Sequence, residues 1–335
     1  MAAALCINSA AALPFKFELN QFSINPELYT FNPDLNVTFE TGTTGIGFGI
    51  ESRLNQYFGV RTSFTWIPHF EVPLHFNIQM SDNDDPGYDK EGRSRFDRMA
   101  GYLEEITGFR IKQQVEMIGE PNMYNVKLLI DVYPFNDKRW YFTTGFYAGP
   151  SVIGRAHNRA EDMTTLIAAA MYNNIYDNVY DTEYNDDAEP HGILLGIDIP
   201  PETGIKDKII ESGRMGMHVG DYKTQTAYDG KPVRYIMEPD ADNTVKAEMK
   251  VNSFKPYIGV GYNSLIDKKN DRLKFSFDCG IMFWGGTPRI YTHDGTEIVY
   301  DLTNLNHQID HYVKLIRPFK VFPLLNLSLS YRIFK

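Results

Sequence analysis

The sequence predicts an all-β fold, an antiparallel up-and-down transmembrane β-barrel of about eight strands, and three observations carry that expectation. The first is composition. Across 335 residues, 22 Phe, 21 Tyr and 3 Trp make the chain 14% aromatic, yet its mean hydropathy is −0.35 and it has no run of about 18 apolar residues to cross a bilayer as a helix. In a barrel wall alternate residues face lipid and lumen, so their hydropathies cancel in any averaging window. The second is an apolar/polar alternation of period two in separate segments, the mark of a strand with one apolar face. The third is that short and long connections between these segments alternate. A soluble β-sandwich shares the first two features and is the alternative; it has no reason to sort its loops by length.

Taken in chain order, the apolar sets begin with Leu35, Val37 and Phe39, then Ile46, Phe48 and Ile50. Phe58, Val60, Thr62, Phe64 and Trp66 alternate with Gly59, Arg61, Ser63 and Thr65; Val126, Leu128, Ile130 and Val132 alternate with Lys127, Leu129 and Asp131. Trp140, Phe142, Thr144, Phe146 and Ala148 share a side, as do Ile258, Val260 and Tyr262. The clearest segment places Leu273, Phe275, Phe277, Cys279, Ile281 and Phe283 opposite Lys274, Ser276, Asp278, Gly280 and Met282. The last places Leu325, Leu327, Leu329, Tyr331 and Ile333 opposite Asn326, Ser328, Ser330 and Arg332. Glycines such as Gly47, Gly49, Gly145, Gly259 and Gly261 fall on the second face, where a narrow lumen leaves little room.

Residues 54–57, 134–139 and 264–271 are short connections. The long insertions are 68–121, 151–252 and 285–320, and with both termini on one side all three fall at the opposite end, together with the tight first hairpin at 42–44. Short periplasmic turns and long extracellular loops are the outer-membrane arrangement. One domain, 13–335, is therefore expected, preceded by Met1 to Ala12 (MAAALCINSAAA), which reads as the remnant of a signal peptide with an A-x-A-like site and no basic n-region. Removing it leaves Cys279 without Cys6, hence no disulfide framework.

The phrases GIGFGIESRLNQYFGVRTSFTW (45–66), NVKLLIDVYPFNDKRWYFTTGFYAG (125–149), FKPYIGVGYN (254–263) and the final LLNLSLSYRIFK resemble small outer-membrane barrel proteins of the OmpA and OmpX kind. The resemblance covers the barrel alone and implies the outer membrane of a Gram-negative bacterium, with its lipid as partner. Such barrels end on an aromatic residue in frame with the apolar face, whereas here the frame arrives at Lys335 and Phe334 stands one place out.

If the apolar faces meet lipid, the inward charges are Glu40, Glu51, Arg53, Arg61, Lys127, Asp131, Lys274, Asp278 and Arg332. An eight-stranded barrel is just wide enough for side chains to fill, and near-balanced charge there predicts an ion-pair network plugging the lumen. A narrow porin-like channel lined by the same residues is the alternative.

Function is then expected in the long loops. A segment from Leu74 to Met80 is set to pair with 114–118, and Phe96, Met99, Leu103 and Ile106 recur at helical spacing. Asp82, Asp84 and Asp89 offer oxygens to a Ca²⁺ ion, but Pro86 breaks the EF-hand spacing and a solvated acidic turn is the plainer reading. The second insertion holds 18 acidic and 10 basic residues, most of the chain's net charge of −10. That charge argues against a nucleic-acid partner. A helix from about Glu161 carries Tyr172, Tyr176, Tyr180 and Tyr184 every four residues, a stripe able to bind an extracellular glycan or protein or, more plainly, to pack within the loops. His307, Asp310 and His311 can share one helical turn and hold a metal, against a plain exposed face. No motif indicates a catalytic residue or a cofactor, so a non-enzymatic binding or structural role is expected, with an enzyme at the extracellular rim as the alternative.

Overall fold

The computed structural model describes residues 33–80, 87–184, 204–226, 230, 232–267 and 270–334. The signal-peptide segment 1–12 lies outside them, as do Asp82 and Asp84. The chain enters a barrel at β1 (Leu35–Gly42), turns into β2 (Gly45–Arg53) and turns again at 54–57 into β3 (Phe58–Trp66). After a break at 67–71, β4 (Val72–Asn77) and β5 (Gln79–Met80) follow, then α1 (Arg95–Thr107). The chain returns through β6 (Gln114–Pro121) into β7 (Tyr124–Val132). A short turn leads to β8 (Trp140–Ala148), which continues as β9 (Val152–Asn158).

Beyond β9 come α2 (Met163–Tyr184), α3 (Ile205–Ser212), β10 (Met215–Thr226) and β11 (Pro232–Met237). β12 (Lys246–Lys250) then runs down into β13 (Phe254–Asp267). β14 (Asn270–Phe283) climbs back and extends as β15 (Arg289–Thr292). The last elements are α4 (Ile298–Asp301), β16 (Leu302–Thr303), α5 (His307–Ile316) and β17 (Val321–Phe334).

Eight strands close in the order β1-β17-β14-β13-β8-β7-β3-β2, every neighbour antiparallel. They are the eight segments the alternation marks. Register joins apolar to apolar across the outer face, as in Phe39 opposite both Phe48 and Leu329, and Phe277 opposite Leu327. Each slip of one residue would turn a strand's apolar set inward, so the pattern itself fixes the register. Phe48, Phe64, Leu128, Ile258, Phe277 and Leu327 are exposed on that face. Aromatic pairs gather toward both rims: Phe64 on Trp66 (5.9 Å) and Phe146 on Phe254 (4.9 Å) at one, Trp140 on Tyr262 (5.1 Å) at the other. Among the described residues no helix is long and apolar enough to cross a membrane; the strands do so.

A five-stranded sheet, ordered β15-β12-β9-β6-β4, stands above one side of the barrel. Its order is that of β14-β13-β8-β7-β3, the barrel strands from which these five extend. One side of the wall is therefore taller than the other, where β1 and β2 meet in a two-residue turn. Breaks separate the storeys; three of the five carry Pro or Gly (Pro68, Gly149-Pro150, and Gly285-Gly286 with Pro288), and a fourth follows Pro121, the last residue of β6. Proline cannot donate to the ladder, so pairing stops and the strand re-aims.

The outer face changes chemistry across these breaks. Below them stand Val126, Phe254 and Phe283; above, a row runs across the sheet through Glu120, Arg155, Glu248 and Tyr291 in register. Arg155 Nε lies 3.4 Å from Glu248, and Lys250 Nζ 3.1 Å from the same carboxylate. A row of solvated charged groups is costly in hydrocarbon, which sets the edge of the lipid belt near the breaks.

The inner face of the tall sheet closes a second core. Leu74, Phe76, Val115 and Met117 meet Phe96, Met99 and Leu103 of α1, Leu166 and Ala169 of α2, and Met215, Met217 and Val219 of β10. Leu302, Ile309 and Val313 complete it. Three insertions expected as separate loops within a single barrel domain thus build one cap. The expected pairing of 74–80 with 114–118 holds as far as Asn77 opposite Gln114; Gln79 and Met80 pair with β10 instead. α1 starts at Ser94, whose Oγ accepts the Asp97 N–H at 3.1 Å while its own N–H donates to Asp97 at 2.8 Å, a capping box. It ends at Gly108 in the left-handed region, φ 72°.

The misplaced final aromatic has a structural explanation. β1 pairs Asn36 with Arg332 but Leu35 with Phe334, so Ile333 is a bulge residue. One extra residue shifts the alternation by one place, and Phe334 comes to lie opposite the outward Leu35.

Candidate functional site

The lumen is filled in layers. Toward the capped end Tyr147, Tyr257, Met282, Trp284 and Leu324 pack with Leu129 as a buried apolar cluster. Trp284 stacks on Phe322 at 4.9 Å, and Tyr147 meets Tyr257 edge-on at 5.5 Å. Beside this layer Glu40 pairs with Lys127, both 3% exposed, and accepts from Ser63 Oγ at 2.5 Å and Asn326 Nδ2 at 3.0 Å. Further toward the short-turn end Arg61 bridges two carboxylates. Its Nη1 and Nη2 donate to Asp278 at 2.8 Å each, and Nη2 also to Asp131 at 2.8 Å. Thr143 Oγ1 donates to Asp131 at 2.7 Å and accepts from Arg61 at 3.1 Å. A buried cation between two anions, each with further hydrogen bonds, is the geometry in which buried charge is tolerated.

The other inward charges sit near the short-turn mouth. Lys274 pairs with Glu51, and Arg332 Nε lies 3.7 Å from Asp34. Arg53 places its guanidinium over the Tyr133 ring at 4.3 Å. The nine residues therefore divide into two buried clusters and a mouth group, where the sequence suggests one network.

Sequence reasoning misses the tyrosines of the lumen, although Tyr141 and Tyr147 occupy the inward frame of β8. Their signal is the glycines. Tyr141 is the register partner of Gly261, and a Cβ there would stand 2.2 Å from its ring. Tyr257 covers Gly259 and Gly280 in the same way. Large rings lying on bare backbone fill a narrow barrel more completely than paired medium side chains.

The cap settles the fate of the loop candidates. Tyr172 is 3% exposed, with its hydroxyl donating to the Gly213 carbonyl at 2.8 Å, so it is a core residue and not part of a surface stripe. Tyr176 packs against the core and stacks on Tyr180 at 5.7 Å, and of the described side chains in the series Tyr180 alone is exposed. Tyr184 ends α2, and its side chain lies outside the described residues. A helix rotates by 100° per residue, so a four-residue spacing walks across its face, from buried at Tyr172 to exposed at Tyr180.

Asp89 is spent on the protein. It accepts from the N–H groups of Glu91 and Arg93 at 2.9 and 2.8 Å and from Arg93 Nε at 3.0 Å. Those backbone donors, with the Arg93 charge, hold its carboxyl below the ordinary range. It closes a turn. Asp310 is paired with Lys314 at 2.5 Å along α5. A cluster the sequence does not suggest gathers at the first break, where His69 Nε2 stands 3.9 Å from Glu71 and 4.0 Å from Glu120, all solvated.

A closed eight-stranded antiparallel barrel with an apolar outer belt, aromatic rims, a charged interior and segregated loops defines an outer-membrane β-barrel protein, with short turns periplasmic and the cap extracellular. No protein-family model matches the chain, and no curated protein is similar to it in sequence. Solved structures similar to it are outer-membrane proteins. CarO2 of Acinetobacter baumannii is 12% identical, covering 91% of this chain and 100% of that one, with a TM-score of 0.37. CarO of the same organism is 13% identical over 92% and 100%, at 0.35. A major outer membrane protein of Thermus thermophilus is 10% identical over 90% and 99%, at 0.28. The assignment to the class rests on the barrel itself.

Proposed function

We propose that this outer-membrane protein is a non-enzymatic anchor: a barrel whose lumen is plugged by its own side chains and whose work is to hold a rigid, acidic cap at the cell surface for binding or surface architecture. The observation that carries the reading is the continuity of five barrel strands, in unchanged order, into the extracellular sheet. A conducting pore gains nothing from a wall that rises into a packed cap above two buried ion-pair clusters. A display scaffold gains rigidity, because the five strands of the tall sheet are each fixed at the foot by the barrel ladder.

The binding face of such a cap is polar and aromatic. Tyr88, Tyr102, Phe109, Tyr180 and Tyr300 are exposed on the cap, and rigid amphipathic rings suit glycan or protein surfaces at low entropic cost. Between α1 and β6 a cleft of about 780 Å³ is lined by Asp97, Glu104, Lys112 and Arg159 among others, a mixed-charge recess fitted to a polar ligand.

Planar-bilayer recording of the purified, heat-modifiable protein tests the plug. Membranes that stay silent support it, and a stable open current overturns it in favour of a narrow pore. Protease digestion of intact cells tests the display role; a cap that resists cleavage while accepting a surface biotinylation reagent is expected. Labelling only after cell lysis would overturn the surface assignment.

A further inference from the structure

Below Arg61 the barrel opens into a cavity of about 400 Å³ at the short-turn end, lined by seven basic and three acidic side chains. The acids are already engaged. Asp131 is held by Arg61, Glu51 pairs with Lys274, and Asp34 accepts the Arg53 backbone N–H at 2.6 Å and lies near Arg332. At the rim, Arg139 is paired with Asp137 at 2.7 Å.

Arg272 reaches the Tyr331 hydroxyl at 3.4 Å, and Arg53 and Lys138 stand apart from these carboxylate pairs. Arg53 lies over the Tyr133 ring at 4.3 Å and reaches the Gln56 carbonyl at 3.4 Å. Lys138 donates to the Tyr133 carbonyl at 3.2 Å, and its Nζ lies 4.3 Å from the centre of the Tyr57 ring. Neither forms an ion pair with a carboxylate among the described residues, and both converge on Tyr133. Burial, then the charge of Arg53, hold the Lys138 ammonium below its ordinary range. Like charges facing one another in a recess with low-dielectric walls focus a positive potential that a bound anion relieves, and an Arg fork beside a Lys point charge suits phosphate oxygens.

We propose that this periplasmic mouth is a binding site for a small phosphate-class oxyanion, held by Arg53 and Lys138 beneath a roof closed by the Arg61–Asp131 pair. The site is independent of the cap and goes beyond the anchor role. Its dead end makes it a receptor and not a conduit: the anion enters and leaves by the same opening.

Calorimetric titration of inorganic pyrophosphate into the full-length protein, in a maltoside detergent free of phosphate, provides the test. Binding that weakens as salt rises is expected, with at least tenfold loss in Arg53→Gln/Lys138→Gln. The control Arg155→Gln/Lys250→Gln, on the outer face of the cap, should bind as the wild type does. Heat-modifiable migration shows that each variant is folded, and Arg53→Lys should retain part of the affinity if charge is what matters. Titration of glycerol phosphate beside pyrophosphate separates the sources, tighter binding of the former assigning the site to a lipid headgroup fragment and of the latter to a free diphosphate. Absence of binding by the wild type, or undiminished binding by the double variant, overturns the proposal.

Discussion

Arg61 grips Asp278 with both terminal nitrogens, each at 2.8 Å, from strands that are not neighbours in the barrel wall. The pair spans the lumen, so it ties opposite walls together as well as filling the space between. Arg61→Leu leaves Asp131 and Asp278 as two uncompensated buried carboxylates. Breaking a buried pair this way costs about 3–5 kcal/mol, and urea unfolding in detergent should show a loss of that size. The triple variant Arg61→Leu/Asp131→Asn/Asp278→Asn should recover part of it; no recovery would mean that packing, not charge, sets the cost.

Tyr141 lies on Gly261 so closely that a Cβ would meet its ring at 2.2 Å. Gly261→Val is expected to cost about 1–3 kcal/mol through overpacking. Adding Tyr141→Ser should relieve part of the cost in a double-mutant cycle, and strict additivity of the two losses would disprove the contact.

Lys255 is 1% exposed, and among the described residues its Nζ finds Asn125 Oδ1 and the Pro150 carbonyl, both at 3.3 Å. A buried amine without a carboxylate partner costs stability. Lys255→Met, similar in length and apolar, is expected to stabilise the fold by about 1 kcal/mol or to be neutral. A destabilised Lys255→Met would point to a role for the charge that the geometry does not suggest.

Asp294 in the cap resists burial through hydrogen bonds from Thr292 Oγ1 at 2.6 Å, the Thr296 N–H at 3.0 Å and Tyr235 Oη at 2.8 Å. Burial raises its pKa, but these donors outweigh it and the net displacement is downward. A carboxyl lowered in the folded state stabilises above its unfolded pKa, about 3.9. That contribution is lost as pH falls through the folded value. Amide protection factors over residues 289–303, taken relative to the intrinsic exchange rate at each pH, should therefore fall below about pH 4, and Asp294→Asn should flatten the dependence. An unchanged profile in the variant would assign the acid sensitivity elsewhere.

The eight strands were legible because lipid and lumen impose opposite chemistry on alternate residues, which a single strand displays without its neighbours. Glu40, Lys127, Arg61, Asp131 and Asp278 could be read as inward for the same reason. Their partners could not: Arg61 and Asp278 lie 217 residues apart, and only barrel closure brings them together. The tyrosine–glycine contacts needed register, which alternation implies but does not number. Helix α1 announces itself through the spacing of Phe96, Met99, Leu103 and Ile106, while the capping box of Ser94 and Asp97 comes from the structure. The cap as a unit does not announce itself, because its sheet is assembled from pieces of three insertions, each too short to show an inner face of its own. Phe334 looked misplaced because a bulge at Ile333 leaves no trace in composition.

The unchanged strand order between wall and cap also has a consequence for biogenesis. The tall sheet draws its members from five passes of the chain, and β15 arrives only with β14, the seventh transmembrane strand to be laid down in sequence. The cap core cannot be completed until nearly the whole cylinder has zipped up. Its α5 residues Ile309 and Val313 are contributed later still, by the last excursion before β17. An antibody that recognises only the finished cap would thus act as a timer for barrel closure, reporting from outside the cell an event that takes place within the bilayer.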